Sequence, residues 1–394
     1  MRHALEGIRV LDITQVMAGP YCAMLLCDMG ADVIKVEAPA GDSSRRMAGG
    51  SGSDSPAFNA VNRGKRGIVI NLKSTSGRNT LKRLASKSDI LIENYRPGVM
   101  GKLGLNYEEI RKINPRLIYA SISGYGQTGP SRDKGGFDLI AQGVSGLMSV
   151  TGEFGDRPVK IGVPLTDLGA GLFAVSGILA ALFYRERSDR GQHIDTSLVD
   201  AGIALSVWEA TEFFSSGVSP RPLGSAHRMS APYQAIKCSD GFITLGAAND
   251  RLFKRLCAVL GHPEWAQELR FSSDSRRVEQ KENLAEKIQS VTGGKSRAYW
   301  LSLLESEDIP CGPINDYAEV FKDPQVLSRE LVVKTNHPTL GQISTLGTPL
   351  KLSETPLKPG QPGPLLGQHT DEILSGLGFT REEIITLRTS GAIG

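Results

Sequence analysis

Apolar residues come in short runs along the first two hundred positions, alternating with helix-like segments. Ile8 to Ile13 (IRVLDI) is the first run; a Gly-Pro break and the helix-like stretch Tyr21 to Met29 follow, and then a second run, Asp32 to Glu37. Runs of this length suit buried strands, so the chain opens as β-α-β. The alternation continues through Gly67 to Leu72, Thr80 to Lys87, Asp89 to Glu93 and Leu117 to Ser123, which predicts a largely parallel sheet with crossover helices. Gly169 to Arg185 (GAGLFAVSGILAALFYR) is almost wholly small and apolar, the pattern of a helix buried on most sides. After a polar break at Glu186 to Gln192 come a strand-like His193 to Leu198 and a second buried-type helix, Val199 to Phe214.

The pattern then changes. Ser215 to His227 is rich in Ser, Gly, Pro and Arg, as an exposed connection would be. Beyond Met229 a strand pair (Pro232 to Lys237, Phe242 to Ala247) is joined by turn residues, and amphipathic helices carry Trp265 and Trp300. The charged run Arg276 to Lys287 reads as a solvated helix face. After Pro324 short extended runs return, ending in two short helices, Thr370 to Leu377 and Thr380 to Leu387, the second opened by a Thr380/Glu383 capping box. The expected fold class is α/β. A large Rossmann-like domain with a parallel sheet takes residues 1–215 and 323–394, a linker takes 216–228, and a smaller α+β domain takes 229–322.

Composition narrows the function. The chain has 394 residues, 45 Lys plus Arg against 42 Asp plus Glu, and a net charge of +3, too small to suggest a nucleic-acid backbone binder. The basic clusters Arg45, Arg46 and Arg63, Lys65, Arg66 suit solvated surface or contact with an anionic small molecule. Five scattered cysteines are odd in number and fit reduced thiols in a cytoplasmic protein. The opening MRHALEGIRV has no apolar signal-peptide core, and no membrane span is expected.

A β-α-β opening invites a dinucleotide-binding reading, but the first turn, TQVMAGPYCAML, lacks G-x-G-x-x-G, which disfavours a nicotinamide dehydrogenase. No His or Cys cluster has metal-ligand spacing, so no metal is expected. One carboxylate stands out in GVPLTDLGAG: Asp167, flanked by glycines and ahead of a small-residue helix whose N-terminus supplies positive potential. That setting suits a helix N-cap and a nucleophile equally.

Eight segments, in order, carry a resemblance over essentially the whole chain: LEGIRVLDITQVMAGPYCAMLLCDMGADVIKVEAP, NRGKRGIVINLK, DILIENYRPGVMGKLGL, YASISGYGQTGP, GFDLIAQGVSGLMSVTG, RGQHIDTSLVD, IPCGPIND and PLLGQHTDEIL. They resemble the class III CoA-transferases, the family of formyl-CoA transferase and carnitine CoA-transferase, and look closest to its succinyl-CoA:dicarboxylate branch. The resemblance implies transfer of CoA from an acyl-CoA donor, succinyl-CoA first, to a small carboxylic acid. Asp167 would be the nucleophile, in a short loop before the helix, passing through an acyl-aspartyl anhydride and an aspartyl-CoA thioester. No cofactor would be permanently bound; coenzyme A and acyl-CoA would be substrates.

By position, the same resemblance places Val16, Ala18, Leu72, Asn94, Val99, Lys102 and Leu103 against CoA, and Met17, Arg45, Met47 and His227 at the acid. Arg46 and Arg96 are further cations for a second carboxylate, and Gly224 to His227 resembles a mobile glycine loop. Lys102 stands where formyl-CoA transferase has arginine, Met17 where it has glutamine and Met47 where it has tryptophan. The two methionines soften the pocket and disfavour oxalate. An interlocked homodimer is implied. The superfamily's racemases need a histidine where this chain has Phe137, so 2-methylacyl-CoA racemization is the weaker reading, beside a non-catalytic acyl-CoA binder of the same fold.

Overall fold

In the computed structural model, which describes residues 3–47, 54–357, 359 and 361–394, the opening apolar run is strand β1 (Arg9–Asp12). Helix α1 (Ala18–Asp28) follows, with nine of its eleven residues buried, and leads into β2 (Asp32–Glu37). A 3-10 turn (Ser43–Arg46), α2 (Pro56–Asn62) and β3 (Arg66–Val69) come next, and then α3 (Thr75–Ala85) and β4 (Ile90–Glu93). The short α4 (Val99–Lys102) and α5 (Tyr107–Ile113) precede β5 (Ile118–Ser123). The chain continues through α6 (Asp138–Val144), a single turn α7 (Leu147–Val150), the long α8 (Leu165–Ser188), β6 (His193–Ser197), α9 (Leu198–Leu205) and α10 (Val207–Ser216).

The six strands pair in parallel in the order β3-β2-β1-β4-β5-β6. This is the doubly wound order of dinucleotide-binding sheets, reached here without their glycine fingerprint. On one face α1 and α8 bury Cys22, Leu26, Ala174 and Ile178 against Ile92 and Ala120 of the sheet. On the other, Leu81 of α3 and Ile110 of α5 pack on Leu11, Ile34, Leu91 and Tyr119.

Contacts divide the chain into two units. The second comprises 148–159 and 216–323. Its antiparallel sheet has β7 (Tyr233–Cys238), β8 (Gly241–Gly246) and a short β9 (Cys311–Pro313), packed with α11 (Asp250–Val259), α12 (Asp274–Glu279), α13 (Lys281–Thr292) and α14 (Arg297–Ser306) around Phe253, Trp265, Phe271 and Trp300; α15 (Tyr317–Val320) follows. From Pro324 the chain rejoins the first unit through α16 (Pro324–Ser328), the hairpin β10 (Val332–His337) and β11 (Gly341–Leu346), α17 (Thr370–Gly376) and α18 (Arg381–Thr389). Ile373 and Leu374 cover the α3 face of the sheet, and Thr380 and Glu383 form the reciprocal capping box.

Several expectations change. Segment 216–228 belongs to the second unit rather than standing as a linker, and 148–159 joins it there: Gly224 N donates to Gly152 O at 2.8 Å, and Arg221 stacks on Phe154. The helix expected over Val199 to Phe214 is two helices, and α10 has no buried residue. Helix α8 starts earlier than expected and is not buried on most sides: Leu172, Phe173, Phe183 and Tyr184 are exposed. By length and composition it could cross a membrane, although half of its apolar window is buried inside the unit. The run at Arg276 is not wholly solvated either. Arg277 is buried, donating to Ala231 O at 2.8 Å, Asp250 at 2.9 Å and Phe271 O at 3.0 Å.

Helix α8 approaches α1 closely because Gly171 has no side chain. A Cβ there would lie 2.9 Å from Ala18 O and 3.0 Å from the Tyr21 ring. Gly171→Ala is therefore expected to lower stability by about 1–3 kcal/mol. The measurement is the denaturant midpoint, with an unchanged slope if the fold is retained.

Candidate active site

Strand order reverses between β1 and β4, and in open α/β sheets ligands bind outside the carboxyl ends of the strands at such a reversal. The segments leaving these two strands are stitched together. Asn94 Oδ1 accepts from Gln15 N and Asn94 Nδ2 donates to Gln15 O, both at 2.8 Å. Val16 then takes φ +69°, a left-handed conformation that a β-branched residue adopts only under constraint. Its N–H lies 3.3 Å from each carboxylate oxygen of Asp42. Met17 occupies the N-cap position of α1, and Ala18, buried, begins the helix.

The remaining positions assigned to CoA lie at the same end of the sheet. Leu72 follows β3, half-buried against the core; Val99 and Lys102 belong to α4, Lys102 exposed; Leu103 closes α4 and packs on the core. Met47, exposed, closes the 3-10 turn that starts after Asp42. His227 lies in the second unit, its ring tilted against Tyr233 with centroids 5.0 Å apart and its Nδ1 accepting from Met229 N.

Arg45 is elsewhere engaged. It is 1% exposed, grips both Glu37 oxygens at 2.7 Å, and reaches Asp54 at 3.0 Å and Pro364 O at 2.9 Å. Its guanidinium also lies 3.6 Å over the Phe58 ring. A cation so fully bonded is a brace, not a holder of substrate acid. The basic clusters are corrected in the same way: Arg63 pairs with Asp28, and Lys65 reaches Asp12 at 2.7 Å, all four buried. Buried cations need such partners, which composition alone does not reveal.

Asp167 lies in the first turn of α8, not in a loop before it, one helical turn ahead of Gly171 and on the same face. It is not the cap. Asp138, from the start of α6, performs that role: its Oδ1 accepts from Thr166 N at 3.0 Å and Thr166 Oγ1 at 2.7 Å, and its Oδ2 accepts from Gln142 Nε2 at 2.7 Å. The opposite end of the Gln142 amide, Oε1, accepts from Ile161 N at 2.8 Å. With capping assigned to Asp138, the Asp167 carboxylate has no hydrogen-bond partner among the described residues. Burial first, and the Asp138 charge second, push its carboxyl up to about 7.

Such a group is ionised in part near neutrality and keeps the basicity of a strong carboxylate nucleophile. A second raised carboxyl, Glu93 at the end of β4, is pushed up to about 7, mainly by burial. Sequence reasoning singled out neither Asp138 nor Glu93, although Asp138 lies within the quoted GFDLIAQ. Phe137, in place of a histidine, is exposed ahead of α6. No group of three His, Cys, Asp or Glu residues is arranged to hold a metal ion among the described residues.

The sequence profile described as CoA-transferase family III matches residues 5–370. The chain belongs to that family. Among curated relatives of this CoA-transferase, succinyl-CoA:glutarate CoA-transferase of Mus musculus is 41% identical over 392 residues, covering 99% of this chain and 90% of its own. Succinyl-CoA:mesaconate CoA-transferase of Haloarcula marismortui is 37% identical over 385 residues, covering 95% and 96%. A crystal structure of a CAIB/BAIF family protein from Brucella suis superposes with TM-score 0.85 at 38% identity, covering 96% of this chain and 100% of its own. CoA thioesters are accordingly the substrates of this enzyme class.

If Asp167 attacks as the resemblance implies, it must be ionised, and kcat/KM should fall as pH drops through about 7, the value to which it is raised. Asp138→Asn removes the neighbouring negative charge and should move this acidic limb to lower pH. A limb that stays in place would leave burial as its sole cause.

Proposed function

We propose that this CoA-transferase moves CoA from succinyl-CoA to a five-carbon dicarboxylate, glutarate first, with Asp167 as the covalent nucleophile. The carrying observation is the Asp167 carboxyl, freed from capping by Asp138 and raised to about 7. Glutarate and mesaconate, the acceptors in the names of the Mus musculus and Haloarcula marismortui relatives, are both five-carbon dicarboxylates. The exposed Met47 and half-buried Met17 suit a chain of this length. With Arg45 engaged, Arg46 and Arg96 of the first unit are the cations proposed for the distal carboxylate.

Each step exchanges one acyl bond for another. Asp167 attacks the succinyl-CoA carbonyl, expels CoA thiolate and forms a succinyl-aspartyl anhydride. The thiolate attacks the aspartyl carbonyl, giving aspartyl-CoA and releasing succinate. The acceptor acid then displaces CoA from Asp167, and the thiolate attacks the acceptor carbonyl, regenerating the Asp167 carboxylate. No water is consumed, so the reaction needs no ATP.

This route moves oxygen. Acceptor acid labelled with ¹⁸O in its carboxylate leaves one label on Asp167, and because either carboxylate oxygen can attack, about half of the next turnover's succinate receives it. Mass spectrometry should therefore find succinate 2 Da heavier, alongside new acceptor-CoA. Asp167→Ala should abolish both signals. Acyl transfer without label in succinate would exclude the anhydride; loss of an α-deuterium from 2-methylacyl-CoA without transfer would favour the racemase.

The exposed apolar faces support the homodimer reading. Phe183 and Tyr184 on α8, and Trp208 and Phe214 on α10, lie open, Phe214 at 81% exposure. Exposed apolar side chains on two helices suit an interface, and a second copy of this chain is the proposed cover. Light scattering should give twice the chain mass, and Trp208→Asp with Phe214→Asp should weaken the assembly.

A further inference from the structure

Three consecutive residues ahead of α1 are each held by a different side chain. Thr14 donates its N–H and hydroxyl to Asp12 at 3.0 and 2.5 Å, and its carbonyl accepts from Lys35 Nζ. Gln15 is gripped on both backbone groups by Asn94. Val16, the strained member, is held through its N–H by Asp42. Four of the positive-φ residues outside glycine are Val16, Asp189, Asp308 and Glu330, and Val16 alone of these is β-branched. Its side chain is 39% exposed, so no apolar socket compensates for the conformation.

Asp42 does more than meet one N–H. It is buried, and its carboxylate also accepts from Lys35 Nζ at 3.1 Å, Ser44 N at 2.9 Å and Ser44 Oγ at 2.8 Å. The Ser44 bonds cap the 3-10 turn that ends at Met47. One carboxylate thus joins the Val16–Ala18 turn to the segment carrying Met47. Burial alone would raise Asp42, but Lys35 and the Ser44 donors outweigh it and hold the carboxyl below its ordinary range, so it stays ionised. The carboxylate side chain of Glu37 fixes the far side by accepting from Asp42 N at 2.9 Å.

We infer that Asp42 is a positioning residue for acyl transfer: its carboxylate imposes the left-handed turn at Val16 and sets that turn against the Met47 segment. The inference rests on the reading of the 16–18 and 47 positions as substrate contacts. Asp42 touches neither substrate nor nucleophile in this role; it acts through the Val16 N–H. Glycine at position 16 would adopt the same φ without constraint, which separates positioning from general support of the fold.

The experiment is a double-mutant cycle on the full-length enzyme, reading succinyl-CoA to glutarate exchange and thermal stability in parallel. Asp42→Asn should lower kcat/KM about tenfold or more, the scale of a released backbone strain. In the Val16→Gly background the same substitution should cost no more than about twofold, because the turn no longer needs enforcing. Val16→Gly by itself should raise the melting temperature by about 2 °C. Equal losses in both backgrounds, or a lower melting temperature for Val16→Gly, would overturn the inference. Should Asp42→Asn fail to fold because Lys35 loses one of its carboxylate partners, Asp42→Glu keeps the charge while displacing the carboxylate, and the same comparison of backgrounds decides. Absence of exchange by the unsubstituted enzyme would instead count against the proposed reaction, and the melting temperature of Val16→Gly would still test the strain.

Discussion

Ionised groups held away from water beneath the carboxyl ends of β1 and β2 are the constraint on which the site depends. Lys35 and Lys65 meet Asp12, Lys35 meets Asp42, and Arg45 meets Glu37 and Asp54, every one of them buried. Removing one partner from such a group strands a charge, at a cost of about 3–5 kcal/mol. The cluster therefore tolerates few arrangements, and the arrangement it enforces reaches the surface at residues 14–17. Arg45 extends it to Pro364 O, and Asp54 accepts from Thr339 Oγ1 at 2.9 Å, so the returning C-terminal segment is fastened to the same centre.

This explains what was legible beforehand. The strands announced themselves because a sheet covered on both faces is apolar along its length, and β2 begins and ends where the run Asp32 to Glu37 does. The position of Asp167, and the family the chain belongs to, were legible through the family's segments. The cations were not: in NRGKRG or SSRR, nothing local distinguishes a solvated arginine from one whose carboxylate lies elsewhere in the chain. Arg277 misled for the same reason, since its partner Asp250 is 27 positions away.

Helix starts were obscured by a related cause. An expected cap is sought within a residue or two of the first turn, yet α8 is capped by Asp138, 28 positions earlier. The resemblance placed Asp167 in a loop; in the structure it is in α8, and the glycines beside it serve close packing. At Gly169 a Cβ would meet Leu205 at 3.0 Å and Ala201 at 3.4 Å, and at Gly171 it would meet α1. Exposure was misread for a different reason. Apolar composition along α8 and α10 reports that a surface is to be covered, and does not say whether the same unit or another chain covers it.

The pairing of Asp138 with Asp167 shows how one fold can use two carboxylates differently. Asp138 accepts three hydrogen bonds, two of them from the first turn of a helix. Asp167 has burial and a negative neighbour, both opposing its charged form. Were Asp167 itself the cap, its charge would be satisfied by backbone N–H groups and its basicity would fall, leaving a poorer nucleophile and a better leaving group. Handing the cap to a residue from α6 separates the two requirements. The helix begins securely, while the carboxylate one residue beyond Thr166 keeps its lone pairs free of backbone donors, as the proposed attack on an acyl carbon requires.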